Sequence, residues 1–450
     1  MIDRKDDMIN KILCIDLGLF EKPFGRFLLI VFYIVLALLP AFIALFILGD
    51  FSGGIVETVG QTLGLVALGI LSMQVILGSR FHIADKGFGL DKVMSFHRKM
   101  GIAALVMLIL HPVLLAISHS EFALLYSFSM GALINIGKIT LLLLIIVIFV
   151  ALYFSKFGID YNKWRLMHKS AIFVVVLGFV HSLIARDDGI FEGKNVLWFI
   201  MFMIPISVYL YRNLLWPFIA RKKYTIEEIK QETHDTFSLY LKPIAKDIGK
   251  HKPGQFMFIK LCLERCEEHP FTIPCVSDDS GNICATVKKS GNFTNKIDNA
   301  KEGDTVLVDG PYGRFSFIYD NPENFVFIAG GVGITPILAM LRYLRETKDD
   351  RQIVLLYANK SEKDIIFRKE LETMPDNFKI VHCLSRQEEW DGCKGHVDFD
   401  NITINAGEII DSADFYICGP PPMMAAVIQD LKSGGISKEK IHFEKFSIHK

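Results

Sequence analysis

Two long apolar stretches of the chain each contain a pair of histidines. His97 and His111 lie fourteen positions apart, and His168 and His181 lie thirteen apart. About 20 apolar residues cross the hydrocarbon core of a bilayer as one helix, so both stretches are predicted membrane helices. An imidazole inside the membrane is costly unless it has a partner. Two levels of paired histidines suit two b-type haems, with each iron held by one histidine from each helix.

The two spacings differ in how well they fit an ideal helix. Fourteen residues rise about 21 Å and return the side chain to within about 40° of its first direction, whereas thirteen residues miss by about 140°. We expect a helix distortion near Gly178, or a rotation between the haem planes, to absorb the difference. For any single histidine the alternative is an interhelical hydrogen bond, and the repeated pairing favours haem.

Six membrane spans are predicted from the distribution of apolar residues. Of the 450 residues 51% are hydrophobic, and the net charge of +0 averages an apolar half with a polar half. The start of the chain is mixed in charge and its first apolar run is long, so no cleavable signal peptide is expected. The predicted spans are 27–48, 55–78, 93–117, 132–154, 164–185 and 195–216.

The loops between these spans differ in their content of lysine and arginine. The second-to-third and fourth-to-fifth loops are basic, and the other short loops carry few or no basic residues. By the positive-inside rule, the N-terminus, both basic loops and everything after Arg221 are cytoplasmic, in a multi-pass cell (inner) membrane protein. The predicted pairs are then His97 with His168 near the cytoplasmic face, and His111 with His181 toward the outside.

Cysteine usage agrees with this topology. None of the eight cysteines falls in a predicted outer loop, so no disulfide is expected. The spacing of Cys262, Cys266, Cys275 and Cys284 fits neither ferredoxin pattern, and we expect buried or free thiols rather than an iron–sulfur cluster.

After residue 221 the pattern changes to short alternating strands separated by Gly, Pro and Asp. Such strands with regular turns predict a small antiparallel barrel. The predicted strands are 224–229, 237–241, 255–261, 283–288 and 305–308. His269-Pro270-Phe271-Thr272 lies among them, and Ser290-Gly291-Asn292-Phe293-Thr294 opens a predicted short helix at about 293–300. A Gly–polar turn before a helix N-terminus is either an anion site or a simple cap.

From about residue 322 strands alternate with helices, which predicts a parallel α/β sheet. The buried strand 325–329 is followed by Gly330-Gly331-Val332-Gly333-Ile334-Thr335-Pro336 and a helix at 337–346. Further strands are predicted at 353–358, 379–384 and 415–417, and the last ends in Cys418-Gly419-Pro420 before a helix at 423–432. In such sheets a nucleotide binds at the carboxyl ends of the strands.

Together these motifs resemble the NADPH oxidase / ferric reductase family in its compact bacterial form. The resemblance rests on the four histidines, HPFT at 269–272, the glycine turn ending at Thr294, GPYG at 310–313, GGVGITP at 330–336 and CGPPPM at 418–423. It implies a multi-domain membrane protein: a six-helix transmembrane haem-binding bundle (1–220) followed by a ferredoxin–NADP reductase-like module. That module comprises an antiparallel β-barrel FAD domain (221–320) and an α/β NAD(P)-binding domain (321–450).

The resemblance also implies roles for individual residues. His269 would face the FAD pyrophosphate beside Pro270, Phe271 would pack on the flavin, and Thr272 would bond near its reactive edge. Gly291 and Thr294 would meet the flavin phosphates, and Gly310 would be a further cofactor-binding residue. The residues expected to hold the nicotinamide nucleotide are Gly330, Gly331, Gly333, Thr335, Pro336, Cys418, Gly419 and Pro420. Phe446 would cover the flavin face, and Phe443 is the alternative; core packing fits either equally well.

The choice of nicotinamide cofactor rests on the residues after two strands. A NAD site usually has an acidic residue after the second strand, to bind the ribose hydroxyl. This chain has Lys360 and Ser361 there and Arg386 after the next strand. Basic and hydroxyl groups suit a 2′-phosphate, so we expect NADPH, with NADH as the alternative.

The expected activity follows from the order of these parts. A flavin accepts two electrons as a hydride and releases them singly, so FAD must lie between NADPH and the one-electron haems. Electrons would leave on the far side of the membrane, where oxygen, giving superoxide, is favoured over ferric chelates. His119 in an outer loop would stabilise an anionic product, and Asp187, Asp188 and Glu192 would attract ferric species; for each, a solvated loop residue is the alternative.

A second class of function is an electron-delivery subunit for a periplasmic or membrane redox partner. The short predicted outer loops offer little surface for a dedicated substrate pocket, which suits delivery as well as an exposed haem edge. The expected partners are thus the lipid bilayer, a small-molecule acceptor or a redox protein, and no nucleic acid. A purely structural or channel role would leave the flavin and nucleotide motifs without use.

Overall fold

A computed structural model describes residues 17–48, 53–80, 82–154, 156–159, 161–184, 195–261, 268–290 and 294–444. The chain divides into two compact units, with the boundary at Pro217/Phe218. The first is helical and apolar, and the second contains two sheets. Helices of seven or more residues are numbered here from α1, and strands from β1.

The first unit is built from long apolar helices. Its helices are α1 (Pro23–Phe42), α2 (Ile55–Gly78), α3 (His82–Phe88), α4 (Leu90–Ser118), α5 (Gly131–Tyr153), α6 (Tyr161–Lys169), α7 (Ala171–Ile184) and α8 (Asn195–Leu210). Among the described residues, six helical segments are long and apolar enough to cross a membrane, which confirms the six predicted spans. They are Pro23–Phe46, Ile55–Gly78, Leu90–Ser118, Gly131–Tyr153, Lys163–Ile184 and Trp198–Ile219.

Three helix pairs make the main contacts of this unit. Helix α2 packs along both α4 and α1, and α5 packs along α7. Each histidine-bearing helix therefore has one main neighbour, and small residues such as Ala67 and Ala104 are fully buried where the helices meet.

The fifth membrane span is interrupted at Ser170, between α6 and α7. The Ser170 hydroxyl donates to the Met167 carbonyl over 2.6 Å, and such side-chain bonds compete with the helical ladder. The expected distortion at Gly178 is therefore wrong, because Gly178 lies inside α7. The interruption falls between His168 and His181. It changes the direction of the His181 side chain, which an ideal helix would point away from the face that carries His168.

The second unit begins with an antiparallel sheet of six strands in the order β4-β3-β6-β1-β2-β5. Its strands are β1 (Lys222–Thr233), β2 (Thr236–Pro243), β3 (Phe256–Leu261), β4 (Glu268–Thr272), β5 (Ile283–Lys288) and β6 (Thr305–Tyr312). The edge strands β4 and β5 contact each other, as expected for a small barrel. Alternate residues fill the interior, including Tyr224, Ile226, Met257, Ile259, Val306 and Val308.

The remaining strands form a parallel sheet in the order β10-β9-β8-β7-β11-β12. They are β7 (Asn324–Gly330), β8 (Ile353–Asn359), β9 (Phe378–Leu384), β10 (Cys393–Lys394), β11 (Ala413–Cys418) and β12 (Ile441–Glu444). Helix α9 (Ile334–Glu346) covers one face, and α10 (Phe399–Ala406) and α11 (Pro421–Ser433) cover the other. The order reverses between β7 and β11, which is the position where ligands bind in open α/β sheets.

Two details differ from expectation. The helix predicted at 293–300 is a 3₁₀ turn at Thr294–Asn299. Three edge strands, β4, β10 and β12, were not predicted. Pro270 inside β4 argues against a strand unless the strand lies at an edge, and β10 and β12 are too short to show an alternating pattern.

Candidate functional site

The four histidines of the membrane unit lie in two pairs. The ring centroids of His97 and His168 are 5.9 Å apart, and those of His111 and His181 are 6.4 Å apart. Two imidazoles that share one metal ion, each through a bond of about 2 Å, have centroids about 6 Å apart. The ring planes cross at 71° and 81°, an arrangement that ligands on opposite sides of one iron reach by rotating about their shared axis. Both separations therefore fit an iron between the rings.

Backbone carbonyls orient the outer pair. Nδ1 of His111 lies 2.8 Å from the Gly60 carbonyl oxygen, and Nδ1 of His181 lies 3.0 Å from that of Leu133. A carbonyl only accepts hydrogen bonds, so each Nδ1 carries the proton and each Nε2 lone pair is free for a metal. This is the hydrogen bond that a metal-ligating histidine usually makes.

Glycines make room for three of the four imidazoles. A Cβ added at Gly64 of α2 would lie 2.8 Å from Nδ1 of His111, and one added at Gly137 of α5 would lie 2.8 Å from Cε1 of His181. At Gly78 the added atom would lie 3.5 Å from His97. Sequence reasoning missed these glycines, although Gly64 and Gly78 repeat the fourteen-residue spacing of the histidines that they face.

The inner pair has an aromatic neighbour. The Trp164 ring is parallel to that of His168, with centroids 5.4 Å apart at 12°. Phe154 in turn stacks on Trp164, with ring centroids 4.8 Å apart and an interplanar angle of 24°. Nδ1 of His168 is buried, and no hydrogen-bond partner for it occurs among the described residues. Aromatic stacking therefore orients His168, whereas hydrogen bonds to backbone carbonyls orient the two outer histidines.

Strand β4 carries the HPFT residues at the edge of the antiparallel sheet. Pro270 is exposed, His269 is partly exposed, and Phe271 packs against the core of this sheet. Thr272 ends the strand and is 4% exposed, and its hydroxyl has no hydrogen-bond partner within the described part of the chain. A buried hydroxyl without a partner is costly, so Thr272 fits a position that a bound flavin completes.

Gln255 ties together the loops around Thr272, a role that the sequence motif alone did not reveal. Its side-chain amide donates to the Gly313 carbonyl over 3.0 Å, and its backbone carbonyl accepts from Ile273 over 2.9 Å. Gly313 has φ +95°, and a Cβ there would lie 2.9 Å from the Phe256 ring. Nearby on β6, a Cβ at Gly310 would lie 3.0 Å from Met257.

The glycine loops after β7 and β11 lie against each other at the switch point of the parallel sheet. A Cβ at Gly333 would lie 2.4 Å from the Cys418 carbonyl oxygen, and one at Gly419 would lie 3.1 Å from Gly330. Gly331 has φ +53° and open space around its added Cβ. The two loops thus bring bare backbone together at the carboxyl ends of adjacent strands, as a nucleotide site requires.

Other predicted residues of this loop are buried and take part in local structure. The Thr335 hydroxyl donates to the Val332 carbonyl over 3.0 Å, which closes the turn into α9, and Pro336 is buried in the first turn of that helix. Cys418 is fully buried, and burial raises the pKa of its thiol. Pro420 is exposed beside it.

Lys360 and Arg386 lie side by side beyond two adjacent parallel strands. Strands β8 and β9 end at the paired residues Asn359 and Leu384, and the Arg386 amide donates to the Lys360 carbonyl over 2.8 Å. Both side chains are exposed. The Ser361 hydroxyl instead donates to Asp364 over 2.6 Å, so the two cations are the groups here that suit a 2′-phosphate.

Arg342 links the two sheets of the second unit and was missed by sequence reasoning. From α9 it donates to the Glu370 carboxylate over 2.6 Å and 2.8 Å. It also donates to the Pro274 carbonyl, two residues after Thr272, over 2.9 Å.

Several predicted residues lie outside the described residues or have other neighbours. Outside are Gly291, Phe446, Asp187, Asp188, Glu192, Cys262 and Cys266. Thr294 begins the 3₁₀ turn and accepts from the Ser290 amide over 2.9 Å, and Phe443 lies on β12 and is 40% exposed. His119 lies 3.7 Å from the Glu57 carboxylate. A carboxylate so close to His119 disfavours the binding of an anion beside it.

Comparison with known proteins assigns all three parts of the chain to families. Residues 63–179 match the family described as "Ferric reductase like transmembrane component". Residues 220–316 match "FAD-binding domain", and residues 327–429 match "Oxidoreductase NAD-binding domain".

Individual relatives cover about half of the chain or less. The reductase component of propane 2-monooxygenase from Rhodococcus jostii (strain RHA1) is 30% identical over 233 residues, which is 49% of this chain and 62% of that protein. NADH-cytochrome b5 reductase 1 from Debaryomyces hansenii is 33% identical over 178 residues, 38% of this chain and 63% of that protein. The chain thus spans about three fifths of the length of these relatives.

Among solved structures, the cytochrome b5 reductase domain of Ulva prolifera nitrate reductase is 26% identical, with a TM-score of 0.45; the match covers 50% of this chain and 97% of that one. The apolar helices and the transmembrane family match make this a multi-pass membrane protein. The chain joins a ferric reductase-like transmembrane component to FAD-binding and NAD-binding domains, and it therefore has the architecture of the NADPH oxidase and ferric reductase family of oxidoreductases.

Proposed function

We propose that this protein moves electrons from cytoplasmic NADPH, through FAD and two b-type haems, to an acceptor outside the cytoplasm. The observation that carries the proposal is the pairing of four histidines at two levels, with ring centroids 5.9 Å and 6.4 Å apart. His97 and His168 hold the inner haem, and His111 and His181 hold the outer one. Haem iron supplies one-electron transfer at each level.

The residues of the second unit supply the two-electron end of the path. Bound FAD would supply the conversion from two-electron hydride transfer to one-electron transfer. In this proposal the Thr272 hydroxyl bonds the flavin edge, and His269, Phe271, Gly291 and Thr294 border the same cofactor. The bare backbone at Gly330, Gly331 and Gly419 accepts the nicotinamide nucleotide, with Cys418 and Pro420 at its border. Lys360 and Arg386 hold the 2′-phosphate that distinguishes NADPH from NADH.

We favour oxygen as the acceptor, with superoxide as the product. Two histidines at each level would leave no open coordination position on a bound haem iron, so an acceptor would exchange electrons with the edge of the haem and not with the metal. A small diffusible oxidant needs no built pocket for such a transfer. By the positive-inside rule, the basic loops support a cytoplasmic N-terminus and flavin module, with the helices crossing the inner membrane.

Haem content tests the assignment of the ligands. His97→Ala and His111→Ala, each in the full-length protein, are expected to lose one haem per chain and to keep the other. His119→Ala is the matched control, because it removes an exposed histidine that caps the C-terminus of the same helix. Full haem retention in both ligand variants would overturn the proposal.

The acceptor is tested by rapid mixing. The FAD-loaded protein is reduced anaerobically with NADPH and then mixed with aerated buffer or with anaerobic ferric citrate. Fast haem reoxidation by oxygen, with superoxide trapped, supports the oxidase. Fast reoxidation by ferric citrate and slow reoxidation by oxygen would make the protein a ferric-chelate reductase.

A second candidate is delivery of electrons to a partner protein in the periplasm or membrane. It is favoured by the names of relatives such as the "Propane 2-monooxygenase, reductase component", which describe parts of larger systems. Slow haem reoxidation by both small oxidants, together with fast reoxidation by a co-purified redox protein, would establish delivery in place of oxygen reduction.

A further inference from the structure

Cys275 and Cys284 form a thiol pair that the electron path does not use. Cys275 lies in the turn after β4, and Cys284 lies on β5. The Cys284 backbone N–H donates to the Cys275 sulfur over 3.1 Å. Cys284 is 2% exposed, and Cys275 is partly exposed. The pair therefore joins one partly exposed cysteine to one buried cysteine.

His251 lies beside the same turn. Its Nε2 is 3.0 Å from the Cys275 carbonyl oxygen, so Nε2 carries a proton. Its Nδ1 is buried without a hydrogen-bond partner among the described residues, in a side chain that is only 9% exposed. On the other side of the turn, Arg342 holds the Pro274 carbonyl over 2.9 Å. The turn that carries Cys275 is therefore fixed from both sides.

These contacts shift the pKa values of the two thiols in opposite directions. Hydrogen bonding from the Cys284 thiol, and then from His251, holds the pKa of Cys275 well below its ordinary value although burial opposes the shift. The same thiol contact and burial raise the pKa of Cys284. Because the thiolate is the nucleophilic form, Cys275 is the reactive member of the pair.

We propose that Cys275 and Cys284 are a reversible oxidation site that reacts with peroxides. The Cys275 thiolate attacks the O–O bond of the peroxide, sulfur is oxidised to a sulfenic acid, and hydroxide leaves. The Cys284 thiol then attacks this sulfur, so that the S–S bond forms, the S–O bond breaks, and water leaves with the Cys284 proton. A dithiol reductant reverses the change by thiol–disulfide exchange.

The site is close in sequence to the flavin-binding strand. Cys275 follows Thr272 by three residues, and Ile273 between them donates to the Gln255 carbonyl. The proposal concerns the chemistry of the thiols alone, so it stands whether the terminal electron acceptor is oxygen, a ferric chelate or a protein.

A second thiol pair in the same unit provides an internal control. Cys383 on β9 is directly paired with Cys393 on β10. Cys383 is fully buried, and burial raises the pKa of its thiol. The Cys393 sulfur donates to the Asn401 side-chain oxygen over 3.0 Å. Like the first pair, this one joins a buried thiol to a partly exposed one, but the partly exposed sulfur of Cys393 donates to a side chain, whereas that of Cys275 accepts from a backbone N–H.

The test oxidises the full-length protein with one equivalent of hydrogen peroxide and maps its disulfides by mass spectrometry. Cleavage after Glu268 and before Asp278, with Glu-C and Asp-N endoproteinases, puts Cys275 and Cys284 on separate peptides, free of Cys266. The expected product is the linked peptide pair, formed at least about tenfold faster than any Cys383–Cys393 link and removed by dithiothreitol.

Variants identify the order of events. Cys284→Ser is expected to accumulate a sulfenic acid at Cys275 that dimedone traps, and Cys275→Ser is expected to leave Cys284 unmodified. If wild-type protein forms no Cys275–Cys284 link while iodoacetamide still alkylates Cys275, the proposal is wrong. Equal oxidation rates for the two thiol pairs would also overturn it, and this comparison needs no variant.

Discussion

Gly64 lies directly against the imidazole of His111, so that a Cβ added at Gly64 would come within 2.8 Å of Nδ1. The ring cannot simply swing away, because the same nitrogen bonds the Gly60 carbonyl over 2.8 Å. We expect Gly64→Ala to displace His111 and to lower haem content from two per chain toward one. Pyridine haemochromogen assay of the purified full-length variant measures this loss.

Gly101→Ala on α4 is the matched control for this prediction. A Cβ there meets nothing within 4 Å, and glycine to alanine inside a helix is otherwise stabilising by about 0.5–1 kcal/mol. The control should keep both haems and be at least as stable as wild type. Equal haem contents in the two variants would show that the close approach at Gly64 does not matter for the outer site.

Trp164 is predicted to support the inner haem through its stacking on His168. An aromatic pair of this kind contributes about 0.5–1.5 kcal/mol, which corresponds to a change of roughly two- to twelvefold in affinity. Trp164→Leu removes the parallel ring, and it should accelerate haem transfer to apomyoglobin by a factor in this range. Trp164→Phe retains a ring and should stay near wild type. A wild-type transfer rate in Trp164→Leu would leave Trp164 no role in holding the inner haem.

Sequence patterns predicted the elements of the membrane unit but not the contacts between them. The spacing of His97 and His111 was visible because helical periodicity relates residues on one element. The approach of Gly64 to His111 depends on how α2 packs along α4, so no single stretch of sequence encodes it. The interruption at Ser170 was missed because a serine in an apolar helix usually donates its hydroxyl to a carbonyl of the preceding turn without interrupting the helix.

The second unit shows the same division. The glycine loop after β7 was predicted because its strand and helix are adjacent in sequence. The contact of Gly333 with Cys418 joins residues about eighty positions apart, and it follows from the strand order. The thiol pairing of Cys275 and Cys284 was likewise hidden, because four cysteines at irregular spacing give no indication of which two meet.

Thr272 is predicted to act on flavin chemistry without contributing to the stability of the flavin-free protein. Its buried hydroxyl has no hydrogen-bond partner in the described chain, so Thr272→Val removes an unsatisfied polar group and should leave the melting temperature of the flavin-free protein unchanged or raised. With FAD bound, loss of a hydrogen bond of about 1 kcal/mol should slow flavin reduction by NADPH by about fivefold.

Thr272→Ser is the control for that experiment, since it keeps the hydroxyl. Anaerobic stopped-flow measurement of flavin absorbance should find the serine variant near wild type and the valine variant slower. A fall in flavin-free stability with no change in reduction rate would assign Thr272 to the fold and not to the cofactor.

Lys360 and Arg386 are predicted to decide between NADPH and NADH. They lie beyond the carboxyl ends of β8 and β9, and an exposed charge pair contributes up to about 1 kcal/mol, or about fivefold in affinity. Lys360→Ala and Arg386→Ala should each raise the KM for NADPH by up to about fivefold and leave the KM for NADH unchanged. Lys379→Ala removes the same charge at the opposite end of β9, where Lys379 donates to the Asn405 carbonyl, and it should change neither constant. An equal rise of both constants in the Lys360 and Arg386 variants would mean that these cations bind a group common to the two cofactors, such as the pyrophosphate, and that preference for the 2′-phosphate lies elsewhere.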